Sequence, residues 1–272
     1  MCLASMQVST PHAHLNSTRG NKTSWILLEY MKPFLLNILY LKNPLYIYIY
    51  ICYKNVLMDN DADFFWSTVG LKSWKLCLFQ ISKWICPSAP TRQVTLFGGY
   101  PCTAWFNVES MSEDACDDLE GLDASATHVA NLLSNEPDDV KLGIAGFSIG
   151  AAVALYSATC RAVGQYGNGN RYPINLSATV ALSGWLPTSR NLRNRVGASQ
   201  EAARRTASLP TLLCHGQVDD VVDCKIGEKS AQTMYSAGFQ NLTFRTYNRL
   251  GHYTIIEEIN DVCSWLIACL GA

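Results

Sequence analysis

The sequence is short of charge and has no excess of either sign. Charged residues make up 16% of its 272 residues, below the roughly 25% that is typical of soluble domains. Lys and Arg together number 21, and Asp and Glu number 22, for a net charge of −1. Without a basic excess, nucleic acid is excluded as the main partner. The 49% of apolar residues excludes a disordered chain and suits one large domain or two small ones.

The sequence also lacks the cysteine spacing of a disulfide framework or a zinc site. It has eleven cysteines, an odd number, and no two of them stand in a Cys-x-x-Cys motif. We therefore expect a reducing compartment, the cytoplasm, and no metal. Most cysteines should be small core residues, as Cys214 and Cys263 are expected to be within their apolar runs.

Residues 1–80 form an atypical N-terminal region that is polar at first and then apolar and rich in tyrosine. A membrane-spanning helix over Phe34 to Tyr53 is opposed by Lys42 and Pro44 near its middle. A signal peptide is disfavoured because the apolar region starts late and no clear cleavage site follows. The alternation of tyrosine and isoleucine from Tyr46 to Ile51 favours a strand. The fourth interpretation is a segment foreign to the domain, such as translated non-coding sequence.

Residues 81–272 alternate between short apolar runs and longer amphipathic ones. The short runs predict strands at Lys83–Cys86, Val140–Gly146, Ala178–Ser183, Thr211–Cys214 and Leu242–Tyr247. The longer runs predict helices at Ser112–Leu133, Ala151–Cys160, Ile226–Ala237 and Thr254–Leu270. Strands that alternate with helices predict an α/β fold with a mostly parallel central sheet flanked by helices.

The strongest chemical signal is Gly146-Phe147-Ser148-Ile149-Gly150. It follows an apolar strand-like run and precedes an alanine-rich helical one, which is the context of a nucleophile elbow. Flanking glycines allow the tight turn and the close packing of the backbone. Ser148 is therefore the candidate nucleophile, although a serine hydroxyl needs a neighbouring base to become reactive.

A base and an acid should follow the serine along the chain. Only His215 and His252 occur after Ser148. Three carboxylates lie just after His215, in the loop where the acid is expected: Asp219, Asp220 and Asp223. The order therefore favours His252 as the base, with His215 a structural residue near the site. Of the three carboxylates we favour Asp219 as the acid, and for Asp220 and Asp223 a solvated loop charge is the preferred interpretation.

These residues resemble those of the acyl-protein thioesterases, the carboxylesterase/lysophospholipase group of α/β-hydrolases, and plant members in particular. The resemblance runs from about Ser82 to Leu270. The matching pieces are Trp84–Thr91, Phe97–Gly99, Ala104–Phe106, Gly146–Ala151, Leu182–Pro187, Cys214–Gly216 with Asp219, and Gly251-His252. It implies an α/β-hydrolase fold with Ser148, Asp219 and His252 as catalytic residues.

The resemblance also implies the chemistry, which is hydrolysis of thioesters that link palmitate to protein cysteines, and of related carboxylic esters. The partners would be S-acylated proteins or lipid-like esters, no cofactor would be needed, and peripheral contact with a membrane stays open. Aromatic and apolar residues of the matching pieces are candidates to line an acyl groove or to belong to the core. They are Phe97, Tyr100, Trp105, Phe106, Trp185 and Leu186.

Two features depart from the family. No His-Gly-x-Gly-Asp occurs between Met1 and Lys83, where the family carries a strand and a loop that supplies one backbone N–H of the oxyanion hole. The other N–H would come from Ile149, and loss of one such donor typically costs about 10²–10³ in rate. Asn107 stands where the family's Asp is expected. The missing strand would leave its neighbour's backbone groups unpaired, unless Tyr46–Ile51 replaces it.

Three functions remain open at this point. The first is a serine hydrolase of acyl thioesters or esters, for which the three catalytic candidates argue. The second is a catalytically impaired binding protein on the same fold, for which the missing oxyanion loop argues. The third is a membrane-tethered protein that uses Phe34 to Tyr53 as its anchor.

Overall fold

The computed structural model describes residues 45–51, 85–111 and 115–270, the first of these ranges by its backbone alone. All of them belong to one unit, Asn43–Ala272. The proposed domain boundary at residue 80, most of the Phe34–Tyr53 segment and the predicted helix start at Ser112 lie outside the described residues.

Among the described residues, five strands form the central sheet and two form a separate hairpin. In chain order the strands are β1 (Leu45–Ile51), β2 (Thr91–Val94), β3 (Tyr100–Thr103), β4 (Lys141–Phe147), β5 (Leu176–Leu182), β6 (Thr211–Gly216) and β7 (Leu242–Tyr247). The central sheet has the order β1-β4-β5-β6-β7, and each neighbouring pair is parallel. The antiparallel hairpin joins β2 to β3.

Six α-helices lie between or after the strands in the part of the chain that the structure describes. They are α1 (Leu119–Leu133), α2 (Ile149–Val163), α3 (Leu192–Gly197), α4 (Gln200–Ser208), α5 (Cys224–Ser236) and α6 (Ile256–Leu270). The predicted α/β architecture with a mostly parallel sheet is therefore confirmed. Within the part of the chain that the structure describes, no helix combines the length and the apolar character needed to cross a membrane.

Apolar side chains pack on both faces of the sheet at its central strands β4, β5 and β6, which is why these strands are mostly apolar runs. Successive residues of a strand point to opposite faces. Ile144 of β4 accordingly belongs to one apolar cluster, together with the buried α2, while its neighbour Ala145 belongs to a second. The second cluster includes Val262 and Leu266 of α6, which are spaced by one helical turn.

The tyrosine–isoleucine run forms a strand next to the strand that precedes Ser148. β1 pairs with β4 along its whole length, from Leu45 opposite Lys141 to Ile51 opposite Phe147. The strand predicted over Tyr46–Ile51 is therefore present, and β1 is the edge of the described sheet. It pairs the side of β4 that β5 leaves open.

Several local predictions differ from the structure. Ile85 and Cys86 are outside any strand, and α1 begins at Leu119, where the Asp118 carboxylate accepts a hydrogen bond from the N–H of Gly121 (2.9 Å). An N-terminal carboxylate of this kind satisfies a free helix donor and so fixes the start of the helix. The prediction that most cysteines belong to the core was wrong for the described ones, of which only Cys160 and Cys214 are fully buried.

Candidate active site

Ser148 occupies a sharp turn between β4 and α2. Its backbone has φ 55° and ψ −122°, a conformation that costs most residues about 1–3 kcal/mol and that the surroundings must hold in place. Its N–H donates to the carbonyl of Leu182 at the end of β5 (2.9 Å). Gly146 allows the turn to close, because a Cβ there would lie 2.5 Å from the N of Ala151 and closer still to the carbonyl of Gly150.

The parallel sheet brings the three candidate catalytic residues together. Ser148 follows β4, Asp219 follows β6 and His252 follows β7. The carboxyl ends of parallel strands meet at one edge, which is where α/β proteins place their sites. Residues far apart in the sequence therefore lie side by side.

A continuous chain of hydrogen bonds links the three side chains. The Nε2 atom of His252 lies 2.9 Å from the Oγ of Ser148, and its Nδ1 lies 2.8 Å from Oδ2 of Asp219. A carboxylate can only accept, so Nδ1 carries the proton and Nε2 accepts from the serine hydroxyl. The His252 ring also contacts Phe147, with ring centroids 4.8 Å apart. This geometry lets the histidine take the serine proton.

Asp219 is buried but stays ionised. Its Oδ1 accepts hydrogen bonds from the backbone N–H groups of Val221 (3.0 Å) and Val222 (2.8 Å). Burial alone would raise the pKa of Asp219, but the bonds from His252, Val222 and Val221 outweigh it and hold the pKa below its usual value. Sequence reasoning missed both valines, because a backbone N–H leaves no signal in the residue type.

The other carboxylates of this loop have different surroundings. Asp220 is exposed. Asp223 caps α5, since its Oδ1 accepts from the N–H of Lys225 (2.9 Å). His215, the second histidine after Ser148, is buried with its Nε2 3.6 Å from Oδ2 of Asp219. The structure thus brings Asp219 alone of the three carboxylates into hydrogen-bond contact with His252.

The backbone of Ile149 provides a candidate oxyanion donor. Ile149 is the first residue of α2, so its N–H has no partner one turn earlier in the helix. The N-terminus of a helix also favours negative charge. The segment just before residue 85, which the resemblance links to the second donor, lies outside the described residues.

The candidate groove residues divide between surface and core. Phe97 and Tyr100, on either side of the turn of the β2–β3 hairpin, are 60% and 75% exposed. Trp105 is 1% exposed and Leu186 is buried. Trp185 is half-buried and meets Phe106 edge to face, with ring centroids 6.0 Å apart.

Asn107 is hydrogen-bonded to the segment that connects β2 and β3 in that hairpin. Its Oδ1 accepts from the N–H of Thr95 (2.8 Å), and its Nδ2 donates to the Oγ1 of Thr95 (3.0 Å). Its own N–H donates to Oδ2 of Asp118 (2.7 Å), which also lies 3.6 Å from Arg92. An aspartate at position 107 could not donate to the threonine hydroxyl and would bring a second carboxylate close to Asp118.

Across residues 85–111 and 115–270, no group of three or more His, Cys, Asp or Glu residues is arranged to hold a metal ion.

Comparison with known proteins decides the family. The model of the phospholipase/carboxylesterase family matches residues 68–270. The chain belongs to this family. It is therefore a hydrolase of carboxylic esters or thioesters, and its fold is the α/β-hydrolase fold.

Members of the phospholipase/carboxylesterase family resemble this chain in sequence and, where a crystal structure is known, in fold. The crystal structure of Zea mays acyl-protein thioesterase 2 is 54% identical, with a TM-score of 0.75, and the match covers 84% of this chain and 95% of that one. Acyl-protein thioesterase 1 homolog 1 of Dictyostelium discoideum is 30% identical over 65% of this chain and 73% of its own length. Acyl-protein thioesterase 1 of Gibberella zeae is 28% identical over 68% and 75%.

Proposed function

We propose that the chain is an acyl-protein thioesterase in which Ser148 is the nucleophile, His252 the base and Asp219 the acid. The observation that carries the proposal is the chain of hydrogen bonds from Ser148 through His252 to Asp219, with distances of 2.9 and 2.8 Å. The names of the maize, slime-mould and fungal relatives support the choice of a thioester substrate.

The reaction follows from the geometry. The Oγ of Ser148 attacks the carbonyl carbon of the thioester while Nε2 of His252 accepts its proton, and Asp219 stabilises the imidazolium that forms. The tetrahedral oxyanion is stabilised by the N–H of Ile149 at the start of α2. The carbon–sulfur bond then breaks, and His252 returns the proton to the leaving thiolate. Water, deprotonated by His252, next cleaves the acyl-serine and releases the fatty acid and free Ser148.

The substrate would be an S-acylated protein or a lipid-like ester. Phe97 and Tyr100 present exposed aromatic surface on the hairpin, which suits contact with an alkyl chain or peripheral contact with a membrane. Trp185 is the half-buried candidate for the groove, whereas Trp105 and Leu186 would support it from the core. We place the protein in the cytoplasm and assign catalysis to residues 81–272.

A second candidate is a binding protein on the same fold with impaired catalysis. The observation that favours it is the absence of a His-Gly-x-Gly-Asp motif from the sequence, which removes the recognisable source of a second oxyanion donor. Both candidates predict a folded chain with Ser148 next to His252, so only a test of the reactivity of the serine separates them.

That test is labelling of the full-length chain with a fluorophosphonate probe, alongside Ser148→Ala. We expect labelling of the parent and none of the variant, followed by hydrolysis of a palmitoyl-cysteine peptide with kcat reduced on the order of 10⁶-fold by the substitution. A folded parent that fails to react with the probe would contradict the enzyme and favour the binding protein. Labelling with hydrolysis of oxygen esters alone would contradict the thioesterase assignment and retain the esterase.

A further inference from the structure

His215 is a buried histidine next to the candidate site that the mechanism does not use. It lies near the carboxyl end of β6 and is 1% exposed. Its Nε2 lies 2.8 Å from the carbonyl oxygen of Val222. A carbonyl can only accept a hydrogen bond, so Nε2 carries the proton and donates.

Val222 connects this histidine to the candidate acid. Its carbonyl accepts from His215, and its N–H donates to Oδ1 of Asp219 (2.8 Å). A shift in the position of the Val222 peptide on one side therefore changes a hydrogen bond to the acid on the other. The other oxygen of Asp219, Oδ2, faces Nδ1 of His252 at 2.8 Å and also lies 3.6 Å from Nε2 of His215.

The His215 ring has little freedom to move. A Cβ on Gly227 of α5 would lie 2.9 Å from its Cε1 and closer still to its Nδ1, so the helix backbone packs directly on the ring. Burial lowers the pKa of His215, against the opposing effects of its bond to the Val222 carbonyl and of the Asp219 carboxylate. A neutral imidazole next to Asp219 donates to Val222 without competing with His252 as an ion partner.

We propose that His215 is a positioning residue that holds the Val222 peptide, and through it the Asp219 carboxylate, in the orientation required by His252. The proposal rests on the proposed function, because it assigns a role in the same reaction. It explains why a histidine is found at a fully buried position where its ring N–H donates to a backbone carbonyl.

The test compares three variants of the full-length chain. His215→Leu keeps apolar bulk and removes the donor, whereas His215→Gln retains an N–H donor on a side chain of similar reach. Thr211→Val is the matched control, because it removes a buried side-chain hydrogen bond, to the Leu209 carbonyl (3.3 Å), at the other end of the same strand. For each variant we would measure kcat and KM on a chromogenic ester, together with Tm.

We expect His215→Leu to lower kcat about 10- to 100-fold with KM within about twofold, since a misplacement of roughly 1 Å costs on the order of 10² in rate. His215→Gln should restore most of kcat. Thr211→Val should lower Tm and leave kcat unchanged. Unchanged kcat in folded His215→Leu would overturn the proposal, and so would equal loss in the Leu and Gln variants at equal Tm.

A readout that needs no activity separates this inference from the proposed function. The proton on Nδ1 of His252, bonded to Asp219, should give a strongly downfield NMR resonance, assigned through its loss in His252→Ala. If His215→Leu loses this resonance while His215→Gln retains it, the positioning role stands even for a parent without esterase activity. If His215→Leu retains it unchanged, the positioning role is refuted even where the parent is active.

Discussion

Substitution of Gly146 by alanine tests whether the close packing of the turn determines the position of the nucleophile. A Cβ at Gly146 would lie 2.5 Å from the backbone N of Ala151 and nearer still to the carbonyl of Gly150. In proteins a Cβ essentially never has a non-bonded heavy atom closer than 3.0 Å. The atoms in the way belong to the backbone of α2, so they cannot be relieved by a change of rotamer. β4 and α2 must therefore separate.

The size of the effect follows from that separation. Restoring an ordinary contact requires β4 and α2 to move apart by about 1 Å, and a misplacement of this size costs on the order of 10² in rate. Overpacking of this kind also destabilises the fold by about 1–3 kcal/mol. Ser148, which joins the two elements, should lose its 2.9 Å contact with His252. We expect kcat/KM to fall about 100-fold and Tm to fall by several degrees.

The assay is hydrolysis of a chromogenic ester, measured together with thermal unfolding so that kcat/KM refers to folded protein. Gly197→Ala is the control, because a Cβ at that position would have no heavy atom within 4 Å. It should leave kcat/KM unchanged and should not lower Tm, because alanine at an open helical position stabilises slightly relative to glycine. If Gly146→Ala retained kcat/KM within twofold of the parent at unchanged Tm, the turn would not depend on this contact and the reasoning would be refuted.

Three further predictions concern stability. Because its hydrogen bonds hold the pKa of Asp219 below its usual value, the carboxylate stabilises the fold above about pH 4 and loses that contribution as pH falls through the folded-state pKa. The free energies of unfolding in urea of the parent and Asp219→Asn should thus differ at pH 7 and converge as the pH falls below about 4 and through the folded-state pKa, and a constant difference would contradict this. In the edge strand β1, successive N–H groups face alternately toward and away from β4. Proline removes a ladder bond only where the N–H faces β4, so Ile47→Pro and Tyr48→Pro should differ by about 1–3 kcal/mol in unfolding free energy. Equal effects of the two substitutions would argue against the pairing with β4. Asn107→Asp should lower the free energy of unfolding by up to about 1 kcal/mol, since the new charge lies near Asp118. Salt at 0.5 M should reduce this loss by screening the two charges. A loss of stability that does not depend on salt would exclude the charge as its cause.

The parts of the fold that were predictable from sequence are those set by local pattern. β4, the turn at Ser148 and α2 follow from an apolar run, two glycines and a series of small residues. The order of serine, acid and histidine follows from parallel strands, because each chemical group lies after a strand that ends at the same edge. The sequence could not separate the neighbouring carboxylates by pattern, since exposure of Asp220 and burial of Asp219 arise only when the loop closes on β6 and β7.

The elements that escaped prediction are short or have few apolar residues. α3 has six residues and buries only Leu192 and Val196, and α4 buries only Ala202 and Thr206, so neither provides a long apolar pattern to detect. The β2–β3 hairpin is short and mostly exposed, and its turn depends on Gly98 and Gly99, both with positive φ. The sequence pattern does not distinguish aromatic residues such as Phe97 and Trp105. Phe97 is exposed and Trp105 is buried, because burial depends on how the whole chain packs.

The edge strand β1 shows why a departure from the family pattern need not remove the site. Parallel strands pair through backbone N–H and C=O groups, which are the same for every non-proline residue, so the partner of β4 is constrained by strand propensity rather than by a motif. The alternating tyrosines and isoleucines of Leu45–Ile51 meet that requirement, and the pairing continues to Phe147, directly before Ser148. An oxyanion donor is different, because it must lie within about 3 Å of one developing charge. Replacement of the strand and replacement of the loop are therefore separate questions, and labelling of Ser148 addresses the second while the proline pair in β1 addresses the first.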